Sequence, residues 1–343
     1  MAYGVDDPML LTAFETNLWH FSAGKNLIEL QELNQLLRKA KSYKEFERAA
    51  LQLTENFNRR WLRTEINAAL LTAEATATYY RLLSRVDTFP YWEYKTQGDN
   101  RVRDEHKLLD GLILPATHPI WQKIFPPNAW GCRCYVVARM ASEVAEVDFA
   151  EMEAKAEAFM NTEEYQRAKK QGWAVNRADL GEVFTRNQMY IKERFPEAHK
   201  QLNSLKPKDY GMSSYQQARQ AANADAPVYE GTDQEYLDTL DVINQLRVIS
   251  DYNKRHHELN KIPQKGLAYV QAMEQALKQP SEVWLNSSRA EGEPNRFVYI
   301  KYYQNKTVVV LGTVKDKLRK IQRWFTATDK TINKYRRGLL VRK

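Results

Sequence analysis

The chain has 343 residues, 43% of them hydrophobic and 27% charged, with a formal net charge of +8. That length predicts two or three domains with real cores. No run of about 18 apolar residues occurs, so no membrane-spanning helix is expected. The start, Met-Ala-Tyr-Gly-Val-Asp-Asp-Pro, has neither a basic nor an apolar leader region, so no secretory signal is expected. With only Cys132 and Cys134 there is no disulfide framework, which suits a reducing cytoplasm.

Residues 14–85 read as helices. Leu27, Leu30, Leu33, Leu36 and Leu37 recur at helical spacing, and Ser42 with Glu45 has the form of a capping box. A longer helix is predicted over 58–83, with Trp61, Leu62, Ile66, Ala69, Leu70 and Ala73 as its apolar stripe. Glu65 falls beside that stripe. Buried, it needs a cationic or hydrogen-bonding partner, for which Arg101 or Arg103 would serve; exposed, it would make an i,i+4 contact. Residues 91–95 form a strand candidate, 97–100 a turn, and 108–114 would pack beneath that turn. Pro126-Pro127-Asn128 imposes an extended entry into the cysteine strand, which continues through Tyr135-Val136-Val137. A charged, alanine-rich helix is predicted over 141–170. The turn-rich stretch 176–232 reads as a linker with short helices.

The last third changes texture. From residue 241 onward there are 21 Lys and Arg against 9 Asp and Glu, a net +12, while the preceding 240 residues carry −4. A basic module on a near-neutral body suggests a polyanionic partner, against the plain alternative of a solvated surface. Helices are predicted over 234–253 and 267–279, then strands over 282–286, 296–302, 306–312 and 321–326. A short helix over 332–336 and Gly338 precede the final Leu-Leu-Val. The whole is therefore α+β: a mainly helical N-terminal part with a small α+β knob, then an α+β domain with an antiparallel sheet of about four strands.

Two constellations carry candidate chemistry. Cys132 and Cys134 lie near His106 and His118, and two thiols with two imidazoles suffice for a tetrahedral zinc. An i,i+2 disulfide would be strained, so the alternatives are a metal clip and a pair of plain thiols. Asp99, Asp104 or Asp110 would each be able to replace a histidine. In the basic third, His256 and His257 adjoin Lys254 and Arg255. Metal-independent RNA cleavage needs a base, an acid and cations around the phosphorane. The two histidines have the right ordinary pKa for proton transfer. Lys301, Thr328 and Arg336 join them as catalytic candidates, and Lys254, Arg255, Lys330 and Arg337 as nucleic-acid contacts. The alternative is a solvated helix terminus and a sheet that binds nothing.

The order T-x-G-D-x-R-V-R-x-x-H-x-x-L-D-G from Thr96, followed by P-P-N-x-W-x-C-R-C, resembles the phage Mu protein F-like (MuF) family of minor head proteins. Arg63-Thr64-Glu65 and the later Gly-Trp-Ala-Val-Asn belong to the same resemblance, which covers roughly residues 50–175. Arg177-Ala178 stands where the family pattern has Pro-Gly. The tail, through V-W-L-N, Y-I-K-Y, W-F-T and I-N-K-Y-R-R-G-L-L, resembles phage-associated barnase–EndoU–colicin–RelE-like nuclease domains. These resemblances imply an N-terminal helical arm (1–50), a MuF-like domain (51–175), the linker (176–232) and a basic nuclease-like domain (233–343). They imply a minor capsid protein of the virion head, in host cytoplasm during assembly, contacting portal and capsid or scaffold proteins and no membrane. DNA or RNA would be held by the C-terminal domain. The competing expectation is a polymorphic toxin with an active nuclease and an immunity protein. Structural zinc is the one cofactor expected; no organic cofactor is.

Overall fold

The computed structural model describes residues 7–190, 204–239, 267–286, 295–315 and 318–343. They form two compact units. The first comprises residues 17–190, and the second combines residues 7–16 with those from 204 onward.

In the first unit, helix α1 (Pro8–Lys39), whose opening turns belong to the second unit, is followed by α2 (Tyr43–Glu55). Ser42 caps α2 by accepting the Glu45 N–H, while the Glu45 carboxylate accepts the N–H of Lys41. A π-helical turn, Asn56–Trp61, leads into α3 (Leu62–Leu83). The face of α3 that is buried is not the predicted apolar stripe. It carries Glu65, Ala68, Thr72, Thr76, Tyr79 and Leu82, whereas Trp61, Leu62 and Ile66 are exposed. Two of the polar groups on this face have partners: Thr76 donates to the Thr72 carbonyl and Glu65 is ion-paired, whereas the Thr72 hydroxyl makes no hydrogen bond.

Strands β1 (Tyr91–Lys95), β2 (Leu112–Pro115) and β3 (Tyr135–Arg139) make an antiparallel sheet in the order β2-β1-β3. Two short helices intervene, α4 (Asp104–Lys107) and α5 (Trp121–Ile124). Trp92, Leu112, Leu114, Trp121, Ile124 and Phe125 fill the core with Tyr79 and Leu82 of α3. The helix predicted over 141–170 is broken in two, α6 (Phe149–Met160) and α7 (Glu163–Lys170). Asp148 and Thr162 each cap the start of a new helix, which explains the break.

The second unit is a five-stranded antiparallel sheet, one strand larger than expected. It is built from β4 (Glu282–Asn286), β5 (Asn295–Tyr302), β6 (Thr307–Lys315), β7 (Leu318–Thr326) and β8 (Leu339–Arg342), in the order β7-β6-β5-β4-β8. Alternation gives each face its own core. Val283, Leu285, Phe297, Tyr299, Val308 and Val310 pack with Met273 of the helix Val270–Lys278 and with Met9 and Ala13. Trp284, Val298, Ile300, Tyr302, Val309 and Leu311 pack on the other side with Tyr215, Tyr210 and Ile332. The stretch read as a linker is therefore divided: residues up to 190 join the first unit, and Tyr210, Tyr215 and Ala226 are part of the second unit's cores. The predicted helix over 234–253 lies mostly outside the described residues, which show Asp233–Asp238.

Candidate functional site

The thiol and imidazole groups converge through three local devices. Helix α4 places His106 on its inner side, only 4% exposed. Asn128 fixes the proline loop by donating to the Tyr94 hydroxyl (3.0 Å) and to the Ile124 carbonyl (2.7 Å). Gly131, at φ 69°, supplies the left-handed turn that returns the chain towards β3. His106 Nδ1 then lies 3.6 Å from Cys132 Sγ and 3.6 Å from Cys134 Sγ, and the three atoms fall within 4.8 Å of one another. A tetrahedral zinc with bonds of about 2.3 Å to sulfur and 2.0 Å to nitrogen would hold S and N about 3.5 Å apart. The spacing thus fits a zinc ligand set; it also fits two sulfurs sharing a hydrogen bond with the ring. Hydrogen bonds from Cys134 and His106 hold the Cys132 thiol well below its ordinary pKa, and Cys134 is pushed up by the neighbouring sulfur and by burial.

His118 does not join this cluster. Its Nε2 is 3.4 Å from Glu153 Oε1, and its Nδ1 accepts the Ile120 N–H. The carboxylates weighed as substitutes are engaged elsewhere: Asp99 with Arg133, Asp104 with Lys107, Asp110 with Thr96. Among the described residues the cluster therefore has three protein donors. Both cysteines line a cleft of about 400 Å³ walled by Leu71, Glu74 and Ala75 of α3 and by Phe125-Pro126-Pro127.

Glu65 is buried, as one of the two sequence alternatives required, but its partners are neither Arg101 nor Arg103. Lys25 Nζ lies 2.5 Å from Oε2, and Tyr190 donates its hydroxyl to Oε1. Arg103 instead donates to the Trp130 carbonyl. Burial and the adjacent Glu65 push the Tyr190 hydroxyl up. Thr64, Glu65, Trp61, Trp130, Phe21 and Tyr190 line a second cleft of about 380 Å³. Where the family pattern has proline, Arg177 is 2% exposed, stacks on Trp173 at 4.3 Å and donates to the carbonyls of Gly172 and Val183.

In the second unit, Lys254, Arg255, His256 and His257 lie outside the described residues. The remaining catalytic candidates are not brought together. Arg336 is 2% exposed and donates Nε and Nη2 to the two oxygens of Glu282, at 2.9 and 2.7 Å, and Nη2 to the Ser213 carbonyl. Trp284 Nε1 and the Tyr302 hydroxyl donate to the same carboxylate at 2.8 Å each. Lys301 sits between Ile300 and Tyr302 on β5, so its side chain leaves on the opposite face, where it donates to the Gln279 carbonyl. Burial lowers its pKa. Thr328 caps the short helix Asp329–Ile332, and Lys330 and Arg337 are exposed. Gly338, at φ 105°, comes close enough to Leu285 that a Cβ would fall 2.2 Å from its carbonyl oxygen. That approach lets β8 pair beside β4, with Arg336 turned in and Arg337 out.

Two arginines escaped the sequence reading. Arg296 follows the parity of Val298 and Ile300, and Arg323 pairs with Leu311, so both lie on the Glu282 face. Both are exposed, and the Arg323 guanidinium lies 5.0 Å from the Phe325 ring. Strand parity was the signal that would have found them.

Residues 30–137 match the family described as Phage Mu protein F like protein. The Mu F-like segment thus contains the thiol–imidazole cluster and the Arg63-Thr64-Glu65 triplet. Residues 232–342 match a second family, phage-Barnase-EndoU-ColicinE5/D-RelE like nuclease2. The Mu-like prophage FluMu F protein of Haemophilus influenzae is 46% identical over 79 residues, 23% of this chain and 19% of that protein. The Putative capsid assembly protein F of Escherichia phage Mu is 34% identical over 105 residues, 31% of this chain and 24% of that protein. The chain therefore spans about a fifth to a quarter of the length of these curated relatives. No solved structure matches.

Proposed function

We propose that this chain is a phage minor head protein whose Mu F-like part associates with portal and inner capsid or scaffold proteins, while its C-terminal unit holds nucleic acid. The observation that carries the reading is the presence, on one chain, of a Mu F-like segment and a phage nuclease-like segment. The name of the phage Mu relative, a putative capsid assembly protein, points the same way. The virion head, and host cytoplasm during assembly, are the corresponding locations. No described helix is long and apolar enough to cross a membrane. Nucleic acid would be met by Arg296 and Arg323 on the sheet face and by Lys330, Lys334 and Arg337 after β7, all exposed. Zinc bound by His106, Cys132 and Cys134 would staple the small β1–β3 sheet to α4.

A second reading is favoured by the nuclease-like match itself: an active metal-independent ribonuclease, delivered by the Mu F-like part and restrained by an immunity protein. One experiment separates them. The full chain is incubated with tRNA and with plasmid DNA across a salt series. A structural nucleic-acid binder shows affinity that falls steeply with salt and no turnover. Cleavage that disappears in His256→Ala or His257→Ala, with binding retained, establishes the ribonuclease. Absence of binding at low salt refutes both.

A further inference from the structure

Helix α1 changes character after Lys25. Up to there one face is buried, with Phe21 and Lys25 on it, while Trp19 and Ser22 are exposed. Beyond it, Leu33 and Leu36 remain half-buried, and a second, adjacent stripe opens to solvent. Leu27 is 43% exposed, Leu30 59% and Leu37 58%, and Asn34 between them is exposed as well. The spacing of Leu27, Leu30, Asn34 and Leu37 is three, four, three, the a-d-a-d register of a heptad. One exposed leucine on a soluble protein needs no explanation; three in a single seam do. The next helix has the same excess. All 13 residues of α2 lack full burial, although the helix is amphipathic, and its Tyr43 and Leu51 are 75% and 66% exposed. An isolated helix of that length is marginal in water.

We infer that this seam pairs with the same seam of a second copy of the chain, as a short parallel coiled coil. Two features select that occupant. Asn34 sits at an a position, where in a symmetric pair it meets its own counterpart, and the two side-chain amides satisfy each other and fix the register. Against an unrelated apolar groove the same amide would be buried without a partner. The flanking positions also suit self-association. Asn26 and Leu33 fall at g, Gln31 and Arg38 at e, so parallel pairing opposes no like charges. Glu29, Glu32 and Lys39 fall at outer positions. From Leu27 to Leu37 the seam is only about 15 Å long, so dimerisation depends on concentration. The seam shares no residue with the metal cluster, and the inference does not rest on the proposed function.

The test is sedimentation velocity of the full chain between about 1 and 100 µM, a range that brackets weak association. The expected result is a monomer converting to a dimer. Leu30→Lys with Leu37→Lys abolishes the dimer while the circular dichroism spectrum is unchanged, since both leucines lie outside the interior. Asn34→Cys gives a disulfide-linked dimer on mild oxidation that the unsubstituted chain does not. A monomer throughout the range overturns the inference. So does a dimer that survives the paired lysine substitutions, or an Asn34→Cys chain that forms no more cross-linked dimer than the unsubstituted one.

Discussion

Replacing Arg336 with methionine tests whether that guanidinium serves the fold or the phosphate. In the structure it is spent on Glu282, whose side chain is 3% exposed against 1% for the arginine. The carboxylate also receives hydrogen bonds from Trp284 and Tyr302. Removing one partner of a buried pair leaves the other charged and unpaired, a cost of about 3–5 kcal/mol. At about 1.4 kcal/mol per factor of ten, that raises the open population of the second unit by about two to three and a half orders of magnitude. Hydrogen exchange at the β4 and β5 amides reads this directly, without requiring the two units to unfold together. Arg336→Met should accelerate exchange there by that factor. Glu282→Leu combined with Arg336→Met should recover much of the loss, because no buried charge is then left alone. Exchange within about fivefold of the parent for Arg336→Met, together with weakened nucleic-acid binding, would refute the structural role and return Arg336 to the phosphate.

Three further outcomes follow from the geometry. Zinc should bind at one ion per chain and release protons on binding, with affinity falling as pH falls because the ligands must be deprotonated; Cys132→Ser and His106→Ala should abolish it in a chelator-competition titration, while His118→Ala leaves it intact. Arg296→Ala and Arg323→Ala should each lower the slope of log affinity against log salt by about one, whereas Lys301→Ala, on the opposite face, leaves that slope unchanged. Burial pushes the Glu182 carboxyl up from 4.5 to about 7. The folded state then holds a proton that the unfolded chain releases above its ordinary pKa, so this group's contribution to stability declines as pH rises from about 4.5 to about 7. Urea denaturation of Glu182→Gln across that range should show a smaller loss than the parent, and an equal loss would remove the group from the account.

Much of the architecture was legible in the residues alone. Short apolar runs gave β4 at its observed limits, β5 to within a residue, and β6 up to its last three residues, because a strand buried on both faces must draw its apolar run from its own sequence. The grouping of His106 with Cys132 and Cys134 was among those the sequence offered, because a C-x-C pair fixes two donors locally and two imidazoles lie close in the chain. The sequence could not choose the fourth ligand. His118 is nearer to the cysteines in sequence than His106, yet its ring is turned towards Glu153. The buried face of α3 was likewise hidden: hydrophobicity favoured Trp61, Leu62 and Ile66, but the tertiary partners are Lys25 and Tyr190, which need Glu65.

Composition and periodicity by themselves determined the α+β class and the basic final third. Those properties are written in short windows of the chain, where local spacing dictates what a helix or strand presents. Only the tertiary structure decided that Lys301 and Arg336 stand on opposite faces of one sheet, that Arg336 is neutralised inside the protein, and that Tyr210 and Tyr215 cover Trp284 instead of linking two domains. Each of those outcomes depends on which distant segment arrives against a given face, a choice set by packing and charge pairing between segments far apart in the chain and invisible to any local pattern.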